Sequence, residues 1–258
     1  MPATMRDVAR RANVSIKTVS RVVNEQGEVA DNTRQRVLVA IDELGYRPNI
    51  VARALVTQRT DTVGLIIGDI TNPYFFEVAR GVLDAADARG FVVFVCNSDG
   101  KLEQENQAYH SLADHAVDGI ISFPAWENEK HIKRLSDHFH PLVVVNRKFQ
   151  HQGIGAVLTR IRSGAEMAVE HLINRGHTSI AMLAGYAPDL ETLQRVQGYR
   201  KALTKHGLPF REEWLVGGEP VMARGHTSAL QLLSEYPEVT AIFCYNDLLA
   251  LGAIQPCQ

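Results

Sequence analysis

The sequence predicts a small all-α headpiece followed by an α/β core with parallel sheets. Residues 4–44 carry the spacing of three amphipathic helices, and beyond residue 62 short apolar runs alternate with helical stretches. These runs are apolar at successive positions, which is typical of parallel strands covered by helices on both faces. We expect four parts: a helix-turn-helix headpiece at 1–47, a hinge and linker at 48–60, and two core subdomains at 61–160 and 161–258.

Capping residues and apolar spacing predict the first two helices. Thr4 is suited to cap the first helix, and Asp7, three residues later, is suited to complete a capping box. A turn at 13–14 is followed by Ser15, a suitable cap for the second helix. The apolar face of this second helix consists of Val19, Val22 and Val23.

The other face of the second helix carries side chains of the kinds that contact base edges and phosphates. This face is basic and polar, and a helix of this size fits the major groove of DNA. An ordinary helical hairpin is the alternative, because generic helix-turn-helix patterns occur in many proteins. The outward residues are Ile16, Lys17, Thr18, Ser20 and Arg21.

A third helix is expected from Asp31, as its cap, to Leu44, with Gly45 ending it. Its predicted inner face consists of Val37, Ile41 and Leu44. Pro48 and Asn49 then introduce a short helix at 50–56 and a polar linker at 57–62. A helix of about seven residues is marginal in water, so we expect it to need a partner.

The remaining chain contains the alternating elements of a doubly wound core. The predicted strands are 63–68, 91–96, 119–123, 142–145, 179–184 and 240–244. The predicted helices are 75–89, 102–116, 128–138, 163–175, 190–206 and 223–235.

The distribution of charge favours nucleic acid over a membrane as partner. Residues 1–60 hold 10 of the 27 Lys and Arg and 6 of the 29 Asp and Glu, so this part is +4 and the remainder −6. Such an asymmetry concentrates attraction for phosphate at one end. No apolar run approaches the ~20 residues needed to cross a bilayer, and no secretory signal precedes the headpiece, so we expect a cytoplasmic, nucleoid-associated protein.

Catalytic and metal-binding patterns are absent from the sequence. It contains no GxGxxG after a strand, no Walker motif, no GxSxG and no HExxH. Cys96, Cys244 and Cys257 are far apart and lack metal-ligand spacing. We therefore expect neither an enzyme nor a cofactor.

Several short segments occur in an order that resembles the headpiece of the lactose-repressor (LacI/GalR) family of transcription factors. They are Asp7-Val8-Ala9, Val14-Ser15, residues 18–24, Thr33-Arg34 and residues 46–49. The resemblance implies a repressor that binds a pseudo-palindromic operator in double-stranded DNA as a homodimer.

The same resemblance implies a role for each DNA-binding residue. Ile16, Lys17 and Arg21 are expected to contact bases. A leucine at the position of Leu55 is expected to enter the minor groove from the hinge and kink the DNA, at a cost of a few kcal/mol. Phosphates are expected to be contacted by Thr4, Ser15, Ser20, Asn24, Tyr46 and Asn49.

The core resembles the ligand-sensing domain of this family, which has the fold of type I periplasmic sugar-binding proteins. This resemblance implies a small-molecule effector, a sugar or related metabolite, that binds at the carboxyl ends of strands. Arg195 matches an arginine that holds ligand oxygens, and its guanidinium suits either vicinal hydroxyls or a carboxylate. The other expected effector contacts follow strands: Tyr74, Phe75, Asn97, Arg147, Asn246 and Asp247.

Some of these residues have alternative explanations. Phe75 is also explained by core packing on its helix, and Arg147 and Asp247 are also explained by structural ion pairs. The segment 159–165 departs from the family pattern, which puts a ligand contact there in doubt.

The resemblance holds through residues 246–254 and stops before 255–258, whereas a complete member continues. We therefore expect a shortened chain with an incomplete second subdomain and a damaged dimer surface. The alternatives to a working repressor are a fragment that binds DNA weakly or not at all without sensing, and a solute-binding module. The second alternative leaves residues 1–60 without a role.

Overall fold

The headpiece is a cluster of three helices in the computed structural model. The helices are α1 (Met5–Ala12), α2 (Ile16–Val23) and α3 (Asp31–Leu44). The structure describes residues 3–24, 26–47, 57, 59–124, 133, 141–148, 152–186 and 189–255.

Local capping interactions define the first two helices as predicted. The Thr4 hydroxyl accepts from the Asp7 backbone N–H while the Asp7 carboxylate accepts from the Thr4 N–H, which is a complete capping box. Asn13 ends α1 in the left-handed conformation at φ 53°, and the Ser15 side chain caps α2 by accepting from Thr18 N. The apolar faces of these helices pack in one core that includes Val8, Ala9, Ala12, Val19 and Val22.

The third helix corrects two details of the sequence prediction. Asp31 is its first residue and not its cap, because the N-cap position belongs to Ala30, which has no side-chain hydrogen bond there. Leu44 is 36% exposed, and the buried positions are Val37 and Ala40. The helix ends at Gly45 as predicted, at φ 57°.

Within the described residues, the core strands form two parallel sheets. The first has the order β2-β1-β3-β4-β5 and the second the order β7-β6-β8. The strands are β1 (Thr62–Ile67), β2 (Val92–Asn97), β3 (Gly119–Ser122), β4 (Leu142–Val145), β5 (Ile154–Val157), β6 (Ile180–Ala184), β7 (Leu215–Gly217) and β8 (Ala241–Cys244). The core helices are α4 (Pro73–Asp87), α5 (Leu102–Asp114), α6 (Ile161–Asn174), α7 (Leu190–Lys205), α8 (Met222–Glu235) and α9 (Asp247–Ile254), with a 3-10 turn at Glu212–Trp214.

Two of these strands and one of these α-helices are absent from the sequence prediction. β5 is a four-residue edge strand that contains Gly155 and Ala156, so its sequence lacks a continuous run of large apolar residues. β7 has only three residues, and α9 has no marked apolar side in sequence. The hinge helix 50–56 lies outside the described residues, and so does the predicted helix 128–138 except for residue 133.

Close packing of α6 against α7 fixes the orientation of α7 in the second subdomain. A Cβ at Gly198 would meet the carbonyl oxygen of Arg162, so the two backbones approach at a distance that only glycine permits. One residue later, the Tyr199 hydroxyl is buried and donates to the Ile180 carbonyl at 2.6 Å. Helix α7 is thereby tied to both α6 and β6.

The chain enters the core through a set of hydrogen bonds to Asp118. Its Oδ1 accepts from the Thr60 N–H at 2.8 Å and from the Thr60 hydroxyl at 3.0 Å, and its Oδ2 accepts from the Asp61 N–H at 2.9 Å. These bonds attach the end of the linker to the residue that precedes β3. In the part of the chain that the structure describes, no helix has the length and apolarity to cross a bilayer.

Candidate DNA interface and ligand cleft

Helix α2 presents the predicted base-contacting side chains on the surface of the headpiece. Ile16 is 46% exposed despite being apolar, and Lys17 and Arg21 are exposed as well. Val19 and Val22 are buried on the opposite face, so the orientation of α2 is determined by packing. No ion pair involves Lys17 or Arg21 among the described headpiece residues.

The hydroxyls of Thr4 and Ser15 are used at helix amino ends. Thr4 Oγ1 donates to Asp7 Oδ2 at 2.6 Å, and Ser15 Oγ accepts from the Thr18 N–H at 3.0 Å. A helix amino end is a favourable place for a phosphate, and at α1 a phosphate would compete with the Asp7 carboxylate for the Thr4 hydroxyl. At the other end of α2, Asn24 Nδ2 donates to Ser20 Oγ at 3.2 Å, which keeps both predicted phosphate contacts together.

Tyr46 is located differently from the sequence expectation. Its side chain is 8% exposed and packs in the headpiece core, and burial raises the pKa of its phenol. Packing is therefore its observed role, and a phosphate contact stays a prediction for its hydroxyl. Asn49 and Leu55 lie outside the described residues.

A cavity of about 640 Å³ lies between the two core sheets, and we call it the cleft. It is bordered by residues that follow β1, β4 and β8, in agreement with the expected position at the carboxyl ends of strands. The predicted ligand contacts that line it are Tyr74, Phe75, Arg147, Arg195, Asn246 and Asp247.

Asn97 is the predicted effector contact that does not line the cleft. Its Oδ1 accepts from the Ile70 N–H at 2.9 Å, and its amide donates to Asp99. The side chain therefore stabilises the loop that follows β1. Asn97 meets the sequence criterion of a polar residue at the end of a strand. Its polar atoms, however, form hydrogen bonds within the loops and are not directed to the cleft.

One wall of the cleft is aromatic. The Phe75 ring lies 5.1 Å from the Tyr74 ring and 5.2 Å from the Phe123 ring, in edge-to-face arrangements. Phe75 also packs against the buried cluster around Leu65, so the core-packing explanation and the cleft position both apply to it. Gly68 allows this approach, because a Cβ there would lie 3.3 Å from the Phe75 ring.

The polar side of the cleft is organised around Asn146, which follows β4 in the left-handed conformation at φ 59°. A non-glycine residue in this conformation is uncommon and is often found at functional sites. Asn146 Oδ1 accepts from the Thr159 hydroxyl at 2.7 Å, while its Nδ2 donates to Glu191 Oε1 at 3.2 Å. Asn146 thus links β4, the segment after β5 and helix α7.

Arg147 and Arg195, two of the three arginines that line the cleft, are held in different ways. Arg147 is nearly buried and donates to the carbonyl oxygens of Pro124 and Asn146, each at 3.1 Å. Arg195 lies over the Tyr245 ring, with its guanidinium carbon 4.1 Å from the ring centre.

The structure adds residues that the sequence analysis did not select. Thr159 and Arg160 line the cleft although their segment departs from the family pattern. Asp189 also lines it, and its carboxylate accepts from the Thr192 N–H at 2.9 Å. Tyr245 and Glu191 line it as well. The position of Tyr245 directly after a predicted strand was the available signal for that residue.

Both tyrosines of the cleft keep their protons at neutral pH. Burial raises the pKa of Tyr245, and the nearby Glu191 carboxylate raises it further. The pKa of Tyr74 is raised for the same two reasons. Each phenol is therefore available to donate to, and accept from, a ligand hydroxyl. Among the described residues, no group of three or more His, Cys, Asp or Glu is arranged to hold a metal ion.

Two family sequence profiles match the chain. "Bacterial regulatory proteins, lacI family" covers residues 4–49, and "Periplasmic binding proteins and sugar binding domain of LacI family" covers residues 60–258. Catabolite control protein A of Priestia megaterium is 38% identical, and the match covers 100% of this chain and 78% of that protein. The HTH-type transcriptional repressor PurR of Aliivibrio fischeri strain MJ11 is 35% identical, with 99% and 77% covered.

A solved structure with the same arrangement is the lac repressor dimer bound to operator and the anti-inducer ONPF. It has a TM-score of 0.87 and 28% sequence identity, and the match covers 99% of this chain and 77% of that chain. The similarity includes both the helical amino-terminal part and the α/β core.

Proposed function

Because the chain belongs to the LacI family of bacterial regulatory proteins, we propose that it is a transcriptional repressor controlled by a small-molecule effector. Its headpiece recognises a pseudo-palindromic operator as a homodimer, and its core senses a sugar or related metabolite. Such a regulator acts at the nucleoid. The relatives are transcriptional regulators, and we propose no catalytic role for the cleft.

The proposal rests on the exposure of Ile16, Lys17 and Arg21 on α2, whose opposite face is buried in the headpiece core. A rigid helix holds its outward side chains at fixed positions, which sequence discrimination in the major groove requires. A bidentate arginine or lysine contact to guanine contributes ~1 to 3 kcal/mol of discrimination against the wrong base.

Operator recognition is testable without knowledge of the natural operator. A duplex is selected from a randomised pool with the full chain, and binding is then measured against a scrambled duplex across a salt series. Arg21→Ala and Lys17→Ala should each lose ~1 to 3 kcal/mol on the selected duplex and relax the choice of base. Arg10→Ala, which removes one exposed cation from α1, is the matched control and should weaken both duplexes alike.

Equal loss on both duplexes for Arg21→Ala would show that α2 contributes only general electrostatic attraction. Sedimentation of the same preparation measures whether the chain is a dimer.

Leu55 belongs to the proposal as the residue that enters the minor groove, and Leu55→Ala should reduce the bending of the selected duplex.

The effector acts by changing the angle between the two subdomains, which changes the separation of the two hinge segments in a dimer. DNA and effector then bias the same conformational equilibrium. A titration of the selected duplex in the presence of individual sugars and nucleobases tests this coupling. If the affinity for the duplex is the same with every compound, the proposal that an effector controls DNA binding is wrong.

A further inference from the structure

Glu191 lies between two arginines of the cleft, Arg147 and Arg195. Its Oε1 is 3.8 Å from Arg147 Nη1, and its Oε2 is 3.5 Å from Arg195 Nη1. The side chains are 24% exposed for Glu191, 9% for Arg147 and 22% for Arg195. The three charges are therefore largely shielded from bulk water, and the interactions among them are screened less than those between exposed charges.

Other contacts hold the Glu191 carboxylate in this position. Asn146 Nδ2 donates to its Oε1 at 3.2 Å, from the first subdomain. Arg195 Nη1 also donates to the Glu191 backbone carbonyl at 3.2 Å, and the Arg195 guanidinium is stacked on Tyr245. The carboxylate therefore occupies the place that an anionic ligand would need in order to contact both guanidinium groups.

The charges that line the cleft balance one another. Three arginines, at 147, 160 and 195, face three carboxylates, at 189, 191 and 247. Arg147 and Arg195 already have a carboxylate partner in Glu191. An anion entering the cleft would meet this carboxylate as a like charge and would have to displace it from the arginines.

We propose that Glu191 is a specificity-determining residue that excludes phosphorylated and other anionic ligands and selects a neutral, polyhydroxylated one. This inference rests on the proposed function of the cleft as a small-molecule site. A neutral ligand with adjacent hydroxyls donates to the Glu191 carboxylate and accepts from Arg195, while the aromatic wall covers an apolar face. The ion pair supplies both an acceptor and a donor and does not need to be broken.

Inorganic phosphate is the probe that tests the exclusion, because it carries the anionic charge without any sugar contact. Isothermal titration of the full chain with inorganic phosphate should show at least ~10-fold tighter binding for Glu191→Gln than for the unchanged chain. The gain should disappear in the double variant Glu191→Gln with Arg195→Met. Glu212→Gln removes a carboxylate that pairs with Arg200 at 2.9 Å outside the cleft, and it should leave phosphate binding unchanged.

Equal phosphate affinity in the unchanged chain and Glu191→Gln, whether measurable or absent in both, overturns the proposal. A gain that persists without Arg195 overturns it as well. Circular dichroism verifies that each variant is folded, and Glu191→Ser provides the same charge removal if the glutamine variant does not fold. Failure of operator selection would refute the proposed function separately, because phosphate titration does not depend on DNA binding.

Discussion

Gly198→Ala tests the close contact that positions helix α7. A Cβ at Gly198 would overlap the Arg162 carbonyl oxygen and would lie 2.7 Å from Ala165 Cβ and 2.9 Å from Glu166 N. Separations below 3.0 Å are essentially never seen for a real Cβ, and two of these three neighbours are backbone atoms that no rotamer change can move. Helices α6 and α7 must therefore move apart in the variant.

Two opposing contributions determine the expected change in the free energy of unfolding. Alanine in a helix is favoured over glycine by ~1 kcal/mol, whereas inserting a methyl group into a well-packed contact costs ~1 to 3 kcal/mol. Because backbone must move, we expect the upper half of that range and a net loss of ~1 to 2 kcal/mol. Gly81→Ala in α4 is the matched control, since no atom lies within 4 Å of its added Cβ and it should gain stability.

Urea unfolding followed by circular dichroism reports on both subdomains and therefore on both variants, and the buried Trp214 adds a fluorescent reporter in the second subdomain. The urea midpoint should fall for Gly198→Ala and rise slightly for Gly81→Ala. A midpoint for Gly198→Ala at or above that of the unchanged chain would refute the close helix contact. The displacement should also weaken ligand binding, because α7 carries Glu191 and Arg195.

Three further substitutions test local features. Thr4→Ala removes the hydroxyl of the capping box and should lower headpiece stability by ~1 kcal/mol in thermal melts, and an unchanged melt would contradict the cap. Asp118→Ala removes the acceptor for the N–H groups at 60–61 and should speed their hydrogen exchange more than that of β1. The Lys205 ammonium, which donates at 2.6 Å, lowers the pKa of Glu170 below 4.5, so this pair stabilises the fold above pH ~4.5 and the contribution is lost as pH falls through the lowered pKa. Glu170→Gln should flatten the dependence of the urea midpoint on pH in that acid range.

The headpiece was predictable because its determinants are local in sequence. Thr4 and Asp7 are three residues apart, and Gly45 directly follows the helix that it ends. Such interactions form whatever the rest of the chain does. The errors in this region concern burial: Leu44 has the right spacing but is exposed, and Tyr46 packs in the core through an arrangement of three helices that spacing alone does not specify.

The core was predictable where a strand carries a continuous run of large apolar residues. β6 is buried at every residue and the edge strand β2 is mostly exposed, yet both carry such a run and both are predicted. β5, which contains Gly155 and Ala156, and the three-residue β7 do not carry one and are missed. The order of strands explains why residues distant in sequence reach one cleft, since the carboxyl ends of parallel strands meet at one edge. The same criterion selected Asn97, whose polar atoms are used within its own loop.

Glu191 shows which part of the cleft cannot be derived from sequence. It is four residues before Arg195 on a helix, and this spacing is equally typical of a solvated surface pair. Its partner Asn146 is 45 residues away, so only the packing of two subdomains brings the carboxylate to both arginines. Whether Glu191 is a surface partner or a cleft residue determines the ligand chemistry, because an arginine considered alone suits either a carboxylate or vicinal hydroxyls. An arginine that already faces a shielded carboxylate favours hydroxyls, and the neighbour therefore determines which ligand charge the arginine accepts.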